Sequence, residues 1–374
     1  MKRKSYFLTV MLLLAGVFVF AEKAMLIDFS LLNADIIQKL DLQGQPVSDK
    51  DGNPVYTQNK RTTMDYSVAA GATFTDDQKA LMKTSLAMPE WEVVLNSSAK
   101  NVSSMNLSKV VAVKVQNPQK EEGVTAALAD KTVMGVRVVF PVTANNANAK
   151  IVPPFEIPAY EPYREAGDDG ARTGDPVAAP DSENKLYRND NNTLFEGGYG
   201  LLKNVGAIKS ISVTTMGMNF PHGLYVMLKD TDDVERRYFM GYLGFDGWRS
   251  LQWNNPAYIT EIRNREIRVV PIYPRGLPFV KFTGFQVTRD AAHVGGDFIG
   301  YFKDVQLIYD RALLSSERDI RDEDVWGIIG YKETLKQQAE MLRFGDKQVD
   351  RYLEKINMAT DEAFTSDEYA KTQQ

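Results

Sequence analysis

The sequence predicts a mainly β protein: an antiparallel β-sandwich followed by a helical tail, the count of ten or eleven strands favouring a jelly-roll, carbohydrate-binding-module-like sandwich where pattern alone leaves an immunoglobulin-like one open. Three observations predict it. Apolar residues alternate with polar ones in many short runs, the signature of strands with one buried face. Clusters such as Asp51-Gly52-Asn53-Pro54 and Asp246-Gly247 punctuate those runs with turn chemistry. Between most of them there is no room for the helical crossover of about ten residues that a parallel βαβ sheet needs, so the strands must pair antiparallel. With 44% hydrophobic and 10% aromatic residues, the chain can fill the core of such a sandwich.

Lys2, Arg3 and Lys4 precede an apolar run from Tyr6 to Phe20, and Val19-Phe20-Ala21 has the form of a signal-peptidase site. Residues 1–21 therefore read as a signal peptide, with Glu22 the first mature residue. The apolar run is short against the roughly 20 residues of a spanning helix, so no membrane contact is expected after cleavage. The mature chain, 22–314 as a sandwich domain and 315–374 as a tail, then reads as follows. Thr75-Asp76-Asp77 cap a short helix that carries Ala80 and Leu81, with Leu86 beyond. A strand is expected at 91–95. Val111, Val113 and Val115 share one face that should meet a core, as do Met134, Val136, Val138 and Phe140, then Leu224, Val226 and Leu228, then Val305, Leu307 and Tyr309. Further strands are expected at 208–216, 236–243, 247–253, 265–270, 278–287 and 298–302. Two stretches rich in Gly, Pro, Asp and Asn, 41–64 and 160–193, lack periodicity, and the second reads as a flexible insertion. After Arg311 the period changes. Ser315-Ser316 can cap a helix whose apolar stripe is Ile328, Tyr331, Leu335, Ala339 and Leu342, Gly345-Asp346 should break it, and Val349, Leu353 and Ile356 start a second helix. The stripe suits either the sandwich or a neighbouring subunit.

The block from Met240 to Asp310 is the most distinctive. Gly247-Trp248-Arg249, Trp253, Asn255-Pro256 and Tyr258, followed by Tyr273-Pro274-Arg275 and Gly295-Gly296-Asp297-Phe298, resemble the spirochaete flagellar filament outer layer, or sheath, proteins known as FlaA. Weaker likeness runs in order through Leu26-Ile27-Asp28-Phe29, Trp91 to Asn96, Gly135 to Pro141 and Gly206 to Ser212, so the resemblance spans 26 to 311. It implies a structural coat on a periplasmic flagellum, with flagellin core proteins, other sheath subunits and copies of itself as partners, and no enzyme activity.

The chemistry legible in the residues agrees with a role in association. A net charge of −5 with interspersed signs and no basic patch argues against nucleic acid. The absence of Cys removes disulfides, thiolate metal sites and a lipobox anchor. The two histidines, His222 and His293, are far apart in sequence and read as turn or surface residues. Asp230, Asp232 and Asp233 read as a solvated hairpin turn rather than a calcium loop, and Gly295-Gly296-Asp297 lacks the helix and Lys of a phosphate loop. No cofactor is implied. Trp248 and Trp253 lie five apart on one strand and so point to opposite faces, leaving at most one for a sugar platform. Arg249 shares a face with Leu251 and Trp253. Trp248, Arg249, Trp253, Tyr258, Tyr273 and Arg275 are accordingly the candidates for protein contact. A secreted carbohydrate-binding module, or a glycosidase or lyase with two unrecognised carboxylates, are the competing readings.

Overall fold

A computed structural model describes residues 21–39, 41, 45–58, 62–66, 74–116, 128–142, 146–159, 197–261, 269–289, 296–315 and 319–360. The signal segment before residue 21, the insertion at 160–193, most of the strand expected at 265–270, and His293 lie outside the described residues.

Twelve strands form two antiparallel sheets. In chain order they are β1 (Glu22–Asp28), β2 (Glu92–Leu95), β3 (Lys109–Lys114), β4 (Thr132–Phe140), β5 (Asn148–Val152), β6 (Leu201–Lys203), β7 (Val205–Met218), β8 (Gly223–Asp230), β9 (Glu235–Tyr242), β10 (Asp246–Asn254), β11 (Phe279–Thr288) and β12 (Gly296–Arg311). The front sheet runs β10-β7-β12-β4-β3, with β1 continuing the line of β4 along the same edge of β12. The back sheet runs β9-β8-β11-β5-β2, with β6 also on β11. Leaving out β1, β2, β3 and β6, the front order β4-β12-β7-β10 faces the back order β5-β11-β8-β9. This is the jelly-roll path, in which successive strands mostly cross between sheets. The separate strands expected at 298–302 and 305–309 are one strand, β12, bent by a register shift opposite Thr214/Thr215.

The alternation read from the sequence fills the space between the sheets. Val136, Val138, Ile211, Val213, Val305 and Leu307 come from the front sheet, and Leu224, Val226, Phe282 and Val287 from the back, all essentially without solvent exposure. An aromatic chain crosses the interior: Trp91 meets Phe29 edge to face at 5.4 Å, Phe29 lies 5.9 Å from Phe285, and Phe285 stacks on Phe302 at 4.4 Å. Gly284 sits in β11 at φ +143, and a Cβ there would fall 2.3 Å from the Ile151 carbonyl oxygen of β5. Only glycine lets the two strands approach so closely at this bend.

Two expectations for the sandwich are corrected. In β3 the residue facing the core is Val110, whereas Val111 is 38% exposed. Val111 and Val113 lie on the outer face over Gly135, where a Cβ would meet their methyl carbons at 3.2 and 2.8 Å. Alternation fixes that a strand has two unlike faces but not which one turns inward, and an edge strand with apolar residues on both faces gives no further sign. His222 is buried rather than superficial, stacked 5.5 Å from Phe140 and 5.1 Å from Phe298.

Four helices are described: α1 (Asp76–Leu81), α2 (Val102–Leu107), α3 (Asp322–Trp326) and α4 (Ile328–Thr360). Thr75 caps α1 in a reciprocal box with Gln78, as its sequence predicts. The tail departs from expectation in two respects. Leu314–Ser315 pairs with Val270–Pro271, Ser316 lies outside the described residues, and the described helices begin at Asp322 and Ile328. Gly345 does not break α4, which continues for 33 residues. A mid-helix glycine costs only about 1 kcal/mol, and contacts on both sides of it span the gap: Phe344 packs on the core, while Arg343 and Lys347 pair with Glu156 and Glu92. Of the two surfaces that the apolar stripe suits, its own sandwich is not the one it covers. Tyr331, Leu335 and Leu342 are 65%, 44% and 52% exposed, and α4 meets the back sheet with its charged side. No helix among the described residues is long and apolar enough to cross a membrane.

Candidate interaction surfaces

The outer face of the front sheet carries a continuous apolar row. Trp248 of β10 is opposite Met216 of β7, Met216 opposite Tyr301 of β12, Tyr301 opposite Gly135 of β4, and Gly135 opposite Val111 of β3. These five residues cross five of the sheet's six strands in register, all but Gly135 at least partly exposed. Gly135 is the keystone of the row, since its missing side chain leaves the space that Val111, Val113 and Tyr301 occupy. Arg137 of β4, bonded to Asp297 of β12 at 2.6 Å, flanks it with a charged rim.

The six sequence-predicted contact residues are divided among three places. Trp248 belongs to the row just described. Arg249, Leu251 and Trp253 alternate onto the opposite face of β10, where Leu251 and Trp253 pack on the core and the exposed Arg249 guanidinium sits 4.7 Å from the Phe245 ring. Trp253 and Arg275 help to line a cavity of about 570 Å³ between the edge strands β9 and β10. Tyr258 and Tyr273 are half-buried, Tyr273 preceding a cis proline. The Tyr258 hydroxyl donates to Asp310 Oδ2 at 2.7 Å, and Asp310 is buried. Tyr258→Phe is therefore expected to lower stability by about 1–2 kcal/mol, seen as an earlier urea midpoint, while leaving incorporation into filaments unchanged. Reduced incorporation at unaltered stability would show instead that the ring contacts another subunit.

The cavity's polar groups are largely engaged with each other. Arg236 pairs with Asp230 at 2.9 Å, and Asn255 Nδ2 donates to the Ile208 carbonyl at 2.8 Å and to Glu261 at 2.9 Å. Tyr238 meets the Trp253 ring at 4.7 Å edge to face, so that indole is not an open platform for a sugar. Asp230 also accepts the Asp232 and Val234 amides, closing the β8–β9 turn that the sequence suggests.

Beneath α4 lies a buried ionic seam that no local pattern signals. Lys281 of β11, 1% exposed, holds Glu156 at 2.5 Å and Glu340 of α4 at 3.4 Å; Lys229 of β8 holds Glu156 at 2.7 Å. Burial alone would raise the Glu156 carboxyl, but hydrogen bonds from Lys229 and Lys281 outweigh it and hold the group below its ordinary value. Glu340 goes the other way: burial raises it, and Lys281 offsets only part of the effect. The partners lie far apart in sequence, so only the assembled fold brings them together. The exposed Trp326 of the tail, and Met216 and Tyr301 of the front row, are likewise absent from the sequence-based set of contact residues, whereas Tyr331, Leu335 and Leu342 belong to the stripe already read as suited to the sandwich or a neighbour. Pairing register was the missing information for the row, and the direction of the helix's docked face for the tail.

The profile of the flagellar filament outer layer protein family, FlaA, matches residues 55–318. The chain is 48% identical over 372 residues to the flagellar filament outer layer protein of Treponema pallidum, covering 100% of this chain and 99% of that one. It is 40% identical over 348 residues to the protein of the same description from Spirochaeta aurantia, covering 92% and 90%. Among solved structures, a carbohydrate-binding module in complex with β-1,4-galactotriose aligns with 59% of this chain and 88% of its own at 10% identity, with a TM-score of 0.25, too low to bear on function. Identity at this level along the whole length, with the family profile matched over 55–318, places the chain in the flagellar filament outer layer family: it is a structural sheath protein of the spirochaete periplasmic flagellum.

Proposed function

We propose that, after export and cleavage behind Ala21, the chain coats the flagellin core of the filament, contacting core proteins, other sheath subunits and copies of itself. The observation that supports this reading is the in-register row Trp248-Met216-Tyr301-Gly135-Val111, a flat, partly exposed apolar band on a rigid sheet, rimmed by Arg137 and Asp297. Half-exposed aromatic residues beside an Arg are the usual composition of a protein contact. A coat of many copies repeats along a helical lattice through unlike, complementary surfaces. Material added at large radius also resists bending more than the same mass at the axis, so the layer sets filament stiffness and coil shape, and through them motility.

The test is to replace Trp248 and Tyr301 together by Asp in cells and to isolate filaments. The variant is expected to be exported and folded yet absent from filaments, which become thinner or differently coiled, as on deletion of the gene. Wild-type levels of the variant in filaments would refute the band as the assembly face, and filaments unchanged by deletion would refute the coat.

A further inference from the structure

Helix α4 has two working faces, and its own sandwich uses only one. Toward the back sheet it turns Ile329, Lys336, Glu340, Phe344 and Lys347, tied down by the ion pairs to Asp233, Lys281 and Glu92. At 3.6 residues per turn, Tyr331, Leu335 and Leu342 fall within about 40° of one another on the opposite side, where they are 65%, 44% and 52% exposed. Ile328, Leu335 and Leu342 are seven residues apart, and in the sequence the same spacing runs on to Val349 and Ile356. Tyr331 stands three residues after Ile328, at the second apolar position of the same repeat. A seven-residue step keeps these apolar side chains on one stripe of the helix, turned away from the sandwich, where a second helix lying alongside would cover them.

We propose that α4 pairs antiparallel with α4 of a second copy of this chain, two sandwiches being joined back to back through their tails. Charge selects both the partner and the direction. Lys332, Ala339 and Asp346 stand one heptad apart along the same flank of the apolar strip, all three exposed. In an antiparallel pair, like flanks face each other: Lys332 meets Asp346 of the partner copy, Asp346 meets Lys332 of the partner copy, and the two Ala339 residues lie at the twofold axis. A parallel pair sets this flank against Thr334, Met341 and Gln348, none of which carries a charge. Self-pairing therefore gains two ion pairs and a small-residue crossing point only in the antiparallel sense. The helix is about 50 Å long at 1.5 Å per residue, enough for a seam of several heptads. This surface is distinct from the front row and lies on the other side of the sandwich, so each subunit presents one face for the filament lattice and another for its twin.

The test uses the mature full-length chain at micromolar concentration, with mass read by analytical ultracentrifugation. Wild type is expected at twice the chain mass, and Leu335→Glu combined with Leu342→Glu at the chain mass, with sandwich unfolding unchanged because neither residue touches the core. Lys332→Asp and Asp346→Lys should each weaken the dimer about tenfold or more, and the two together should restore it. Since the chain has no cysteine, Ala339→Cys gives a single thiol, which a short bismaleimide should couple to its copy. A monomeric wild type, a dimer indifferent to the Leu changes, or a double charge exchange that fails to restore mass each overturns the proposal. So does a chain that associates through α4 only when filament core protein is added, which would make the helix a core-facing element. Because the readout is mass in solution, its failure leaves the filament assignment standing, and failure of the front-row test leaves the pairing standing.

Discussion

Glu156→Gln is expected to lower the stability of the folded chain by about 3–5 kcal/mol, measured as an earlier midpoint in urea near neutral pH. The carboxylate sits against Lys281, Lys229 and Arg343 at 2.5, 2.7 and 3.5 Å, and Lys281 is 1% exposed. Neutralising the anion leaves a buried ammonium whose remaining counter-charge is Glu340 at 3.4 Å, and an under-compensated buried charge is far more costly than the ion pair was favourable. The pH dependence follows from the directions of the two shifts. The Glu156 carboxyl is lowered in the folded state, so its contribution is fully present above the ordinary carboxylate value and is lost as pH falls through the folded value. Glu340 is raised, so its contribution is present when the group is protonated and is lost as pH rises through its folded value. Glu340→Gln should accordingly cost little near neutral pH, whereas Glu156→Gln should remove much of the acid sensitivity that wild type shows. Equal losses for the two variants would mean that α4 is held by apolar contact and not by the ionic seam.

Gly284→Val is expected to be the second most damaging change, at about 3 kcal/mol or more, read from the unfolding midpoint and from loss of soluble protein. A valine must take φ +143, a region closed to β-branched residues, and must place its Cβ where the Ile151 carbonyl oxygen now lies 2.3 Å away. Relief by spreading β5 from β11 would break their pairing at Phe285–Ile151, directly beside the Phe282–Phe285–Phe302 stack. Gly241→Ala, also at positive φ but with nothing within 4 Å of the added Cβ, is the control. It should cost only the backbone strain, about 1–2 kcal/mol. If the two variants prove alike, the close approach of β5 and β11 contributes nothing.

The sandwich was legible because each core strand states its buried face in its own residues. Leu224-Val226-Leu228 and Val305-Leu307-Tyr309 need no partner to be read, and the turn at Asp230 names itself by its carboxylates. β3 misled because Val appears on both of its faces. The tail was only half legible: its apolar stripe suits the sandwich or a neighbouring subunit alike, and the docked face is instead the one on which Lys336, Glu340 and Lys347 meet ion partners more than fifty residues away, with Leu335 and Leu342 left outside. The same limit concealed the front row. Trp248 stood among the candidates, but Met216, Tyr301 and Gly135 fall into line with it only through sheet register, which no local pattern encodes.

The pairing of β1 with β12 has a consequence for how the molecule is made. Glu22 aligns with Tyr309, and Arg311 clasps the Glu22 carboxylate through two bonds of 2.6 and 3.1 Å, so the first strand of the sandwich waits for the last. A polypeptide threaded outward from its amino end delivers these partners at opposite ends of translocation. Until the late segment arrives, the central edge of the front sheet is open and adhesive. Closure is thus the most non-local pairing among the described strands, and contacts so distant along the chain are the slow ones to form.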